Sequence, residues 1–286
     1  MFSRKPSALV AQALCVGAIA TVVATATPAS AQSIVPCSES ALSNAIDNAT
    51  AGESLVLARG CTYSLLTALP PIDTTITIVG RNSTITRDTG AGNFGILSVA
   101  PSGNLTLTNT TITNGVAPDF GGGIANRGRL TVTGSNIHDN SANFSGGIGG
   151  GSGTVTRIVN STIANNTANV NGGGVANDGD MTIVNSRITN NTATSGVGGG
   201  VANDGLLRIV STDVNLNHAN RAGGVANVGG GTTTIVASNV NNNTAALAPG
   251  GVLNSGGSVT LIATRVRGNS PTNCSGSDIT VPNCSS

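Results

Sequence analysis

The chain has 286 residues, of which 9% are charged and 2% aromatic, with 40 glycines and a formal net charge of +1. So small a net charge gives no basis for binding nucleic acid or an acidic membrane surface. The scarcity of charged and aromatic residues is unusual for a globular core, but 38% of the residues are apolar and they recur in register. We therefore expect a folded repeat protein and not a disordered chain.

The first 31 residues have the features of a secretory signal peptide. Arg4 and Lys5 precede an Ala- and Val-rich run from about residue 8 to residue 23, and residues 29–31 supply an A-x-A cleavage site. The apolar run is short for a membrane span. We therefore expect residues 1–31 to be removed, leaving residues 32–286 as a single secreted or cell-surface domain, monomeric and without a membrane span.

Residues 32–65 are predicted to form an N-terminal cap and the first coil of a repeat structure. Residues 38–51 predict a short helix that begins at an N-cap, Ser38, places Leu42 and Ile46 on one apolar face, and ends at Gly52. A helix here would cover the end of a stack of strands, whose unpaired edge otherwise invites aggregation. Less regular β segments continue to about residue 99.

A degenerate repeat then runs from residue 104 to residue 271. Its apolar anchor recurs in steps of 25 or 26 residues, at Ile112, Ile137, Ile163, Ile188, Val214, Val240 and Val266. A second aliphatic column lies five residues upstream, and a third lies beside each Gly-Gly pair. So regular a period indicates a solenoid, and its short β-branched segments are typical of strands.

Three short strands per coil, stacked on the equivalent strands of the next coil, define a parallel β-helix. Aliphatic side chains would fill its bore. Asparagine also recurs in two columns, from Asn140 to Asn269 and from Asn126 to Asn254, the second interrupted by Gly150. We expect these amides to bond from coil to coil at the corners. Residues 272–286 are polar and are predicted to be a C-terminal cap.

Four cysteines remain once Cys15 leaves with the signal peptide: Cys37, Cys61, Cys274 and Cys284. An even number in a secreted protein indicates disulfides, and four cysteines allow three pairings. Proximity in the sequence favours Cys37–Cys61 and Cys274–Cys284, one bond at each end of the solenoid.

The units GGGIANRGRLTVTGSNIHDNSA, GGGVANDGDMTIVNSRITNNTA and GGGVANDGLLRIVSTDVNLNHA resemble secreted right-handed parallel β-helix repeat proteins of bacteria. The resemblance covers nearly all of the mature chain and extends distantly to the repeats of polymorphic outer-membrane proteins, although their FxxN element is absent. It implies the right-handed β-helix of the pectate-lyase-like superfamily. Because that fold carries enzymes, adhesins and structural proteins, the resemblance does not imply one activity.

The acidic residues offer few candidates for a catalytic or metal site. The mature chain has 12 acidic residues, most of them in different columns, without the paired-Asp or Arg-Pro motifs of β-helix enzymes. Asp178 and Asp204 each follow a corner asparagine, 26 residues apart, and should lie on adjacent coils about 5 Å apart. Asp180 lies in the same turn. Such carboxylates repel unless a cation intervenes, so Ca²⁺ at Asp178, Asp180 and Asp204 is one hypothesis, and solvated turn carboxylates are the other.

Other surface columns offer weaker hypotheses. Arg187 and Asp213 lie on neighbouring coils and are expected to pair, within a weakly basic strip that could meet an acidic polymer. Ser and Thr fill a column from Thr110 to Thr264, which raises the idea of an ice-binding surface. Sugar sites usually contain aromatic platforms, and four aromatic residues are candidates for exposure: Tyr63, Phe94, Phe120 and Phe144.

These observations favour a non-catalytic extracellular or surface protein that presents a polar face to carbohydrate or protein. The alternative is a pectate-lyase-like polysaccharide lyase or hydrolase with an atypical site. A groove that brought acidic side chains together with an Arg or Lys would favour the enzyme. A uniform Thr, Ser and Asn face without a cleft would favour the binding or structural role.

Overall fold

The computed structural model describes residues 34–284 of the chain, so the signal peptide predicted for residues 1–31 lies outside the described residues. The elements in chain order are β1 (Ile34–Val35), α1 (Glu39–Asp47), β2 (Glu53–Leu57), β3 (Thr62–Leu65), β4 (Thr75–Arg87), β5 (Leu97–Val99), β6 (Asn104–Thr113), β7 (Val116–Phe120), β8 (Ile124–Asn126), β9 (Arg129–Thr133), β10 (Asn136–His138), β11 (Ser141–Phe144), β12 (Ile148–Gly150), β13 (Val155–Val159), β14 (Thr162–Ala164), β15 (Thr167–Ala168), β16 (Val175–Asn177), β17 (Asp180–Val184), β18 (Arg187–Thr189), β19 (Thr192–Val197), β20 (Val201–Asn203), β21 (Leu206–Val210), β22 (Asp213–Asn215), β23 (His218–Arg221), β24 (Val225–Asn227), β25 (Thr232–Val236), β26 (Asn239–Asn241), β27 (Thr244–Leu247), β28 (Val252–Asn254), β29 (Ser258–Ile262) and β30 (Arg265–Arg267).

Within residues 34–284 these strands form three sheets. We call the 17-stranded sheet the bent sheet, because each regular coil contributes two successive strands to it, such as β9 and β10. The alanine sheet has six strands, from β7 to β27, and the groove sheet has seven, from β5 to β28. Each strand pairs in parallel with its equivalents on neighbouring coils, as Ile137 does with Ile112 and Ile163. The predicted parallel β-helix is confirmed, with about nine turns.

The bore is filled as the aliphatic columns predict. The anchor residues from Ile112 to Val240 have no solvent exposure, and Val266 in the last coil has 6%. Each regular coil has one more strand than the three predicted, because the alanine that follows the anchor by five residues lies in a strand of its own. The alanine sheet buries its alanines fully, as at Ala168, Ala193 and Ala219. Alanine is too small to indicate a buried strand in the sequence, but these residues pack as one.

Two asparagine ladders link the coils, as predicted. Asn191 is fully buried; its Oδ1 accepts from Asn166 Nδ2 at 3.0 Å and its Nδ2 donates to Asn217 Oδ1 at 3.0 Å. The second ladder includes Asn177, which donates to Asn203 at 2.8 Å. Because buried amides are costly unless bonded, the ladders fix the register of one coil on the next.

The serine and threonine column lies inside the bend of the bent sheet. Ser161 Oγ accepts from the backbone N–H of Ser135 and donates to the carbonyl of Val159, and its side chain is buried. The ice-binding idea for this column is therefore wrong, because the hydroxyls bond backbone and do not form an outer face.

A short helix near the N-terminus is consistent with the predicted cap, and the cap predicted for residues 272–286 stays a prediction. Helix α1 begins after Ser38, whose side chain accepts from the N–H of Ala41, and buries Leu42 and Ile46. It ends at Asp47, four residues before the predicted bound. Cys37 bonds Cys61 and Cys274 bonds Cys284, so the predicted pairing is confirmed. No helix in residues 34–284 has the length and apolarity to cross a membrane.

Candidate functional site

A groove with a volume of about 400 Å³ lies on the outer face of the groove sheet. Its floor is made of small residues, Gly149, Ala176 and Ala202, on neighbouring coils. One wall is built from the ends of the alanine-sheet strands and the other from the turns that leave the groove sheet. The first wall includes Asp119, Phe120, Phe144 and Asn171, and the second includes Asp178, Asp204 and Val228.

Two phenylalanine rings lie at one end of this groove. Phe120 and Phe144 are paired in register on β7 and β11. The ring of Phe120 crosses the floor, so that a Cβ on Gly149 would lie 2.3 Å from its Cδ2 atom. On the far side the guanidinium carbon of Arg127 lies 4.7 Å from the ring centroid, a cation–π contact. Glycine at position 149 therefore makes room for the ring, and Arg127 holds it in place.

Two carboxylates lie further along the groove, on the opposite wall. Asp178 and Asp204 follow Asn177 and Asn203, which are paired in register, so the acids are one coil apart as predicted. Asp178 keeps contact with solvent, but partial desolvation by the walls raises the pKa of its carboxyl, and the charge of Asp204 raises it further. The Asp204 carboxylate lies over Gly229, where a Cβ would be 1.8 Å from Oδ1.

The third acid of the calcium hypothesis lies elsewhere. Asp180 begins β17 on the bent sheet, paired in register with Val155 and Leu206, and does not line the groove. Across residues 34–284, no three His, Cys, Asp or Glu side chains are close enough to hold a metal ion. Calcium at Asp178, Asp180 and Asp204 stays a prediction, and the structure brings together only the Asp178–Asp204 pair.

The aromatic candidates divide into two groups. Phe120 and Phe144 are in the groove, and Phe144 is 40% exposed. Tyr63 is fully buried, and its hydroxyl donates to the carbonyl of Val35 at 2.7 Å, so exposure was wrongly predicted for it. Phe94 is partly buried against the core. The difference arises because Tyr63 points into the narrow first coil, where its hydroxyl finds backbone partners.

The predicted pairing of Arg187 with Asp213 is also wrong. The residues are in register on β18 and β22, but the Asp213 carboxylate accepts from Asn239 Nδ2 at 2.7 Å. The ion pairs formed within residues 34–284 are His138–Asp139 and Arg221–Asp278. The carboxylate therefore bonds to an uncharged amide on the next coil and not to the arginine on the preceding one.

Sequence reasoning missed three contributors to the groove. Asp119 was one acid among twelve, Asn171 carried no signal, and Gly149 looked like an ordinary member of a glycine-rich turn. One signal could have identified Gly149: it stands where neighbouring coils have Ala125, Ala176 and Ala202. A missing methyl group between alanines on both neighbouring coils marks a position where another side chain comes close.

No protein-family model matches this chain, and comparisons with curated proteins and with solved structures found no significant match. The fold and the site together define the class: a parallel β-helix with disulfide-closed ends and one groove that combines phenyl rings with carboxylates. Such a groove can stack a ring-shaped ligand on the phenyl faces and accept hydrogen bonds from its hydroxyl groups.

Proposed function

We propose that this protein acts outside the cytoplasm and binds a carbohydrate chain in the groove. The observation that carries the proposal is the presence, in one groove, of Phe120 and Phe144 beside three carboxylates on a floor of small residues. Sugars have apolar C–H faces and polar hydroxyl edges, so this combination complements them. A peptide partner, the other binding role, would find no unpaired strand edge here, because the groove sheet is continuous along the floor.

Export rests on two independent features. Residues 1–31 have the sequence pattern of a signal peptide. The two disulfides are bonds that form and persist in oxidising compartments. We infer a secreted or surface-held protein whose binding partner is an extracellular polysaccharide.

The groove is suited to an extended ligand. It crosses five coils, from that of Phe120 to that of Val228, a length of about 19 Å at the usual strand spacing. It ends where Leu253, Ala222 and Ala226 form a second buried apolar cluster, with Val197 and Val228 packed against it. A chain of sugar units would therefore stack at the phenyl end and present hydroxyl groups to Asp178 and Asp204.

A second candidate is hydrolysis of the bound chain, which the carboxylate pair favours. Retaining and inverting glycosidases use two carboxyl groups whose pKa values are separated by their surroundings. Asp178, with its raised pKa, would be the acid, and Asp204 would be the base or nucleophile. A lyase is less well supported, because the basic residue closest to the groove, Arg127, is engaged with the Phe120 ring.

One experiment separates these functions. The purified protein, with both disulfides intact, is applied to immobilised neutral and acidic polysaccharides with and without Ca²⁺, while reducing ends and unsaturated uronates are measured in solution. We expect retention on at least one polysaccharide and no product. Reducing ends that form without unsaturated uronates, and that are lost in Asp178→Asn, would establish hydrolysis. Retention that requires Ca²⁺ would support the calcium prediction.

Matched variants locate the binding. Phe144→Ala removes a stacking face, and Gly149→Ala displaces the Phe120 ring without removing it; each should weaken retention by about tenfold, since stacking of this kind contributes about 1 kcal/mol or more. Leu206→Ala removes an exposed apolar side chain on the bent sheet and should leave retention unchanged. Equal losses in all three, or no retention by the wild type, would contradict a sugar-binding groove.

A further inference from the structure

A second polar pocket lies on the opposite side of the first coils, at the bend of the bent sheet. Its volume is about 360 Å³, and it shares no residue with the groove. Arg59 and Arg81 line it together with Asn82, Asn109, Thr111 and Asn136, and none of its lining residues is acidic. We call this the corner pocket.

The two arginines lie on adjacent coils. The N–H of Gly60, next to Arg59, donates to the carbonyl of Arg81 at 3.0 Å, so the two side chains leave the backbone at neighbouring levels. Both are exposed. Neither guanidinium, within the described chain, donates a hydrogen bond or pairs with a carboxylate. Like charges on adjacent strands repel, and an anion between them would turn this repulsion into attraction.

A specific backbone irregularity places Arg81. In the pairing of β4 with β6, Val79 matches Thr108 and Ser83 matches Thr110, so residues 80–82 stand opposite Asn109 alone. Gly80 packs so closely that a Cβ would lie 2.2 Å from the Asn109 carbonyl oxygen, and Asn82 has φ of 59°. This bulge projects Arg81 over the pocket. Bulges of this kind often redirect side chains at binding sites.

An unpaired side-chain oxygen beside the pocket indicates a ligand that carries a hydrogen-bond donor as well as a negative charge. Asn136 lines the corner pocket, and its Oδ1 is buried without a hydrogen-bond partner. Buried acceptors are almost always bonded. Rotation of the Asn136 side chain toward the pocket would bring this oxygen to a hydroxyl group of a ligand, while the ligand's anionic group met the guanidiniums. Asn82, Asn109 and Thr111 supply further amide and hydroxyl groups around the same space.

We propose that the corner pocket binds an oxyanion, a carboxylate or a sulfate ester, carried by a hydroxylated molecule such as an acidic sugar. Guanidinium groups bind both oxyanions through paired N–H···O bonds. The site is separate from the groove, so it stands even if the groove binds no carbohydrate.

The test measures binding of small probes to the purified protein with intact disulfides by isothermal titration calorimetry. The probes are glucuronate, glucose 6-sulfate, inorganic sulfate and, as the uncharged comparison, glucose. Binding of glucuronate or of glucose 6-sulfate, with none of glucose, supports the proposal and identifies the oxyanion. Failure of both charged sugars to bind overturns it.

Variants assign the binding to the pocket. The double variant Arg59→Gln/Arg81→Gln should weaken binding of the charged sugar by about tenfold or more. Arg157→Gln/Arg208→Gln removes the same charge from the outer face of the same sheet and should leave the affinity within about twofold. Equal losses in the two doubles would show a diffuse basic face and overturn the site.

Asn136→Ala separates the proposed hydroxyl contact at Asn136 from the proposed oxyanion contact at the two arginines. It should weaken binding of the charged sugar and leave binding of inorganic sulfate unchanged, because sulfate has no hydroxyl group to donate to the amide. Loss of sulfate binding in this variant would mean that the substitution disturbs the pocket itself. In that case the affinity of Asn136→Gln, which keeps an uncharged amide oxygen, decides: retained binding of the sugar supports the hydroxyl contact, and lost binding contradicts it.

Discussion

The carboxyl of Asp178 is predicted to make the protein less stable as the pH rises. Desolvation first, and the charge of Asp204 second, raise its pKa above the ordinary value of 3.8. The folded chain therefore binds this proton more tightly than the unfolded chain. The stability from protonated Asp178 is complete below the ordinary pKa and is lost as the pH rises through the raised value. Asp178→Asn, which cannot ionise, avoids this loss.

Thermal unfolding between pH 3 and pH 7 checks this prediction. The midpoint of Asp178→Asn relative to wild type should increase with pH, by on the order of 1 °C, because the group keeps solvent contact and the effect is screened. Asp180→Asn removes a charge two residues away on the bent sheet and serves as the control. A constant difference across the pH range would mean that Asp178 is not desolvated by the groove.

At the scale of the strand and its neighbours, the asparagine ladder is predicted to be a major source of stability. Asn191→Ala leaves the backbone N–H and the Nδ2 of Asn166 without their shared acceptor and removes the amide donor to the carbonyl of Ile163, while the backbone N–H of residue 191 still donates to Asn217 Oδ1. Unpaired buried groups cost about 1–3 kcal/mol each, partly relieved by water. We expect the free energy of unfolding to fall by about 3 kcal/mol in denaturant titrations.

Asn169→Ala is the matched control for the ladder, because Asn169 is exposed and its side chain makes no hydrogen bond within residues 34–284. It should change the free energy of unfolding by less than about 0.5 kcal/mol. If Asn191→Ala were equally mild, the coils would be held in register by strand pairing and the aliphatic bore alone.

The C-terminal cap is predicted to open in acid. Arg221 Nη2 donates to Asp278 Oδ1 at 2.6 Å, and its hydrogen bonds, with that of Ser255, lower the pKa of Asp278 to about 2. The stability from this contact is present above the ordinary value of 3.8 and is lost as the pH falls to about 2. The N–H of Ile279, which donates to Asn254, should then exchange with solvent faster.

Arg221→Ala should reproduce the acid effect at neutral pH. Hydrogen exchange of residues 274–281 would rise in the variant, and lowering the pH would add little further. Exchange in the variant that still rose steeply in acid would show that groups other than Asp278 open the cap. Arg208→Ala, on the bent sheet, removes an equal charge without touching the cap.

At the scale of the whole molecule, the periodic features were predictable from the sequence and the groove was not. Equivalent residues recur every 25 or 26 positions and stack on one another, so the aliphatic bore and the Asn191 ladder follow from the columns. The two disulfides follow from the proximity of their cysteines in the sequence. The groove joins residues from different columns and coils. Whether Phe120 meets Gly149 depends on the geometry of the corner between their strands. That corner contains a left-handed residue, Ser145, which sequence periodicity does not locate.

The errors have the same origin. The column of Ser161, which raised the idea of an ice-binding surface, is buried, because the left-handed Asn160 before it shifts the alternation of side chains. Asp213 pairs with Asn239 and not with Arg187. In both cases the residues that stack on one another were identified correctly. The direction of the Ser161 side chain and the partner of Asp213 were not, because they depend on local hydrogen bonds between neighbouring coils.

The disulfides are predicted to hold the two ends of the solenoid independently. Cys37–Cys61 spans 24 residues and Cys274–Cys284 spans 10. By lowering the entropy of the unfolded chain, each bond should raise the free energy of unfolding by about 3 kcal/mol. Coils of a solenoid contact only their neighbours, so an end that loses its bond should fray locally.

In Cys37→Ser/Cys61→Ser, fast hydrogen exchange should be confined to about residues 34–65, while Cys274→Ser/Cys284→Ser should affect the last coil. The frayed N-terminal end would also expose strand edges, so the first variant should self-associate with rising concentration in light scattering, as wild type should not. Faster exchange spread evenly over all coils in either variant would show instead that the solenoid unfolds as one unit, with its ends coupled through the ladders to the middle.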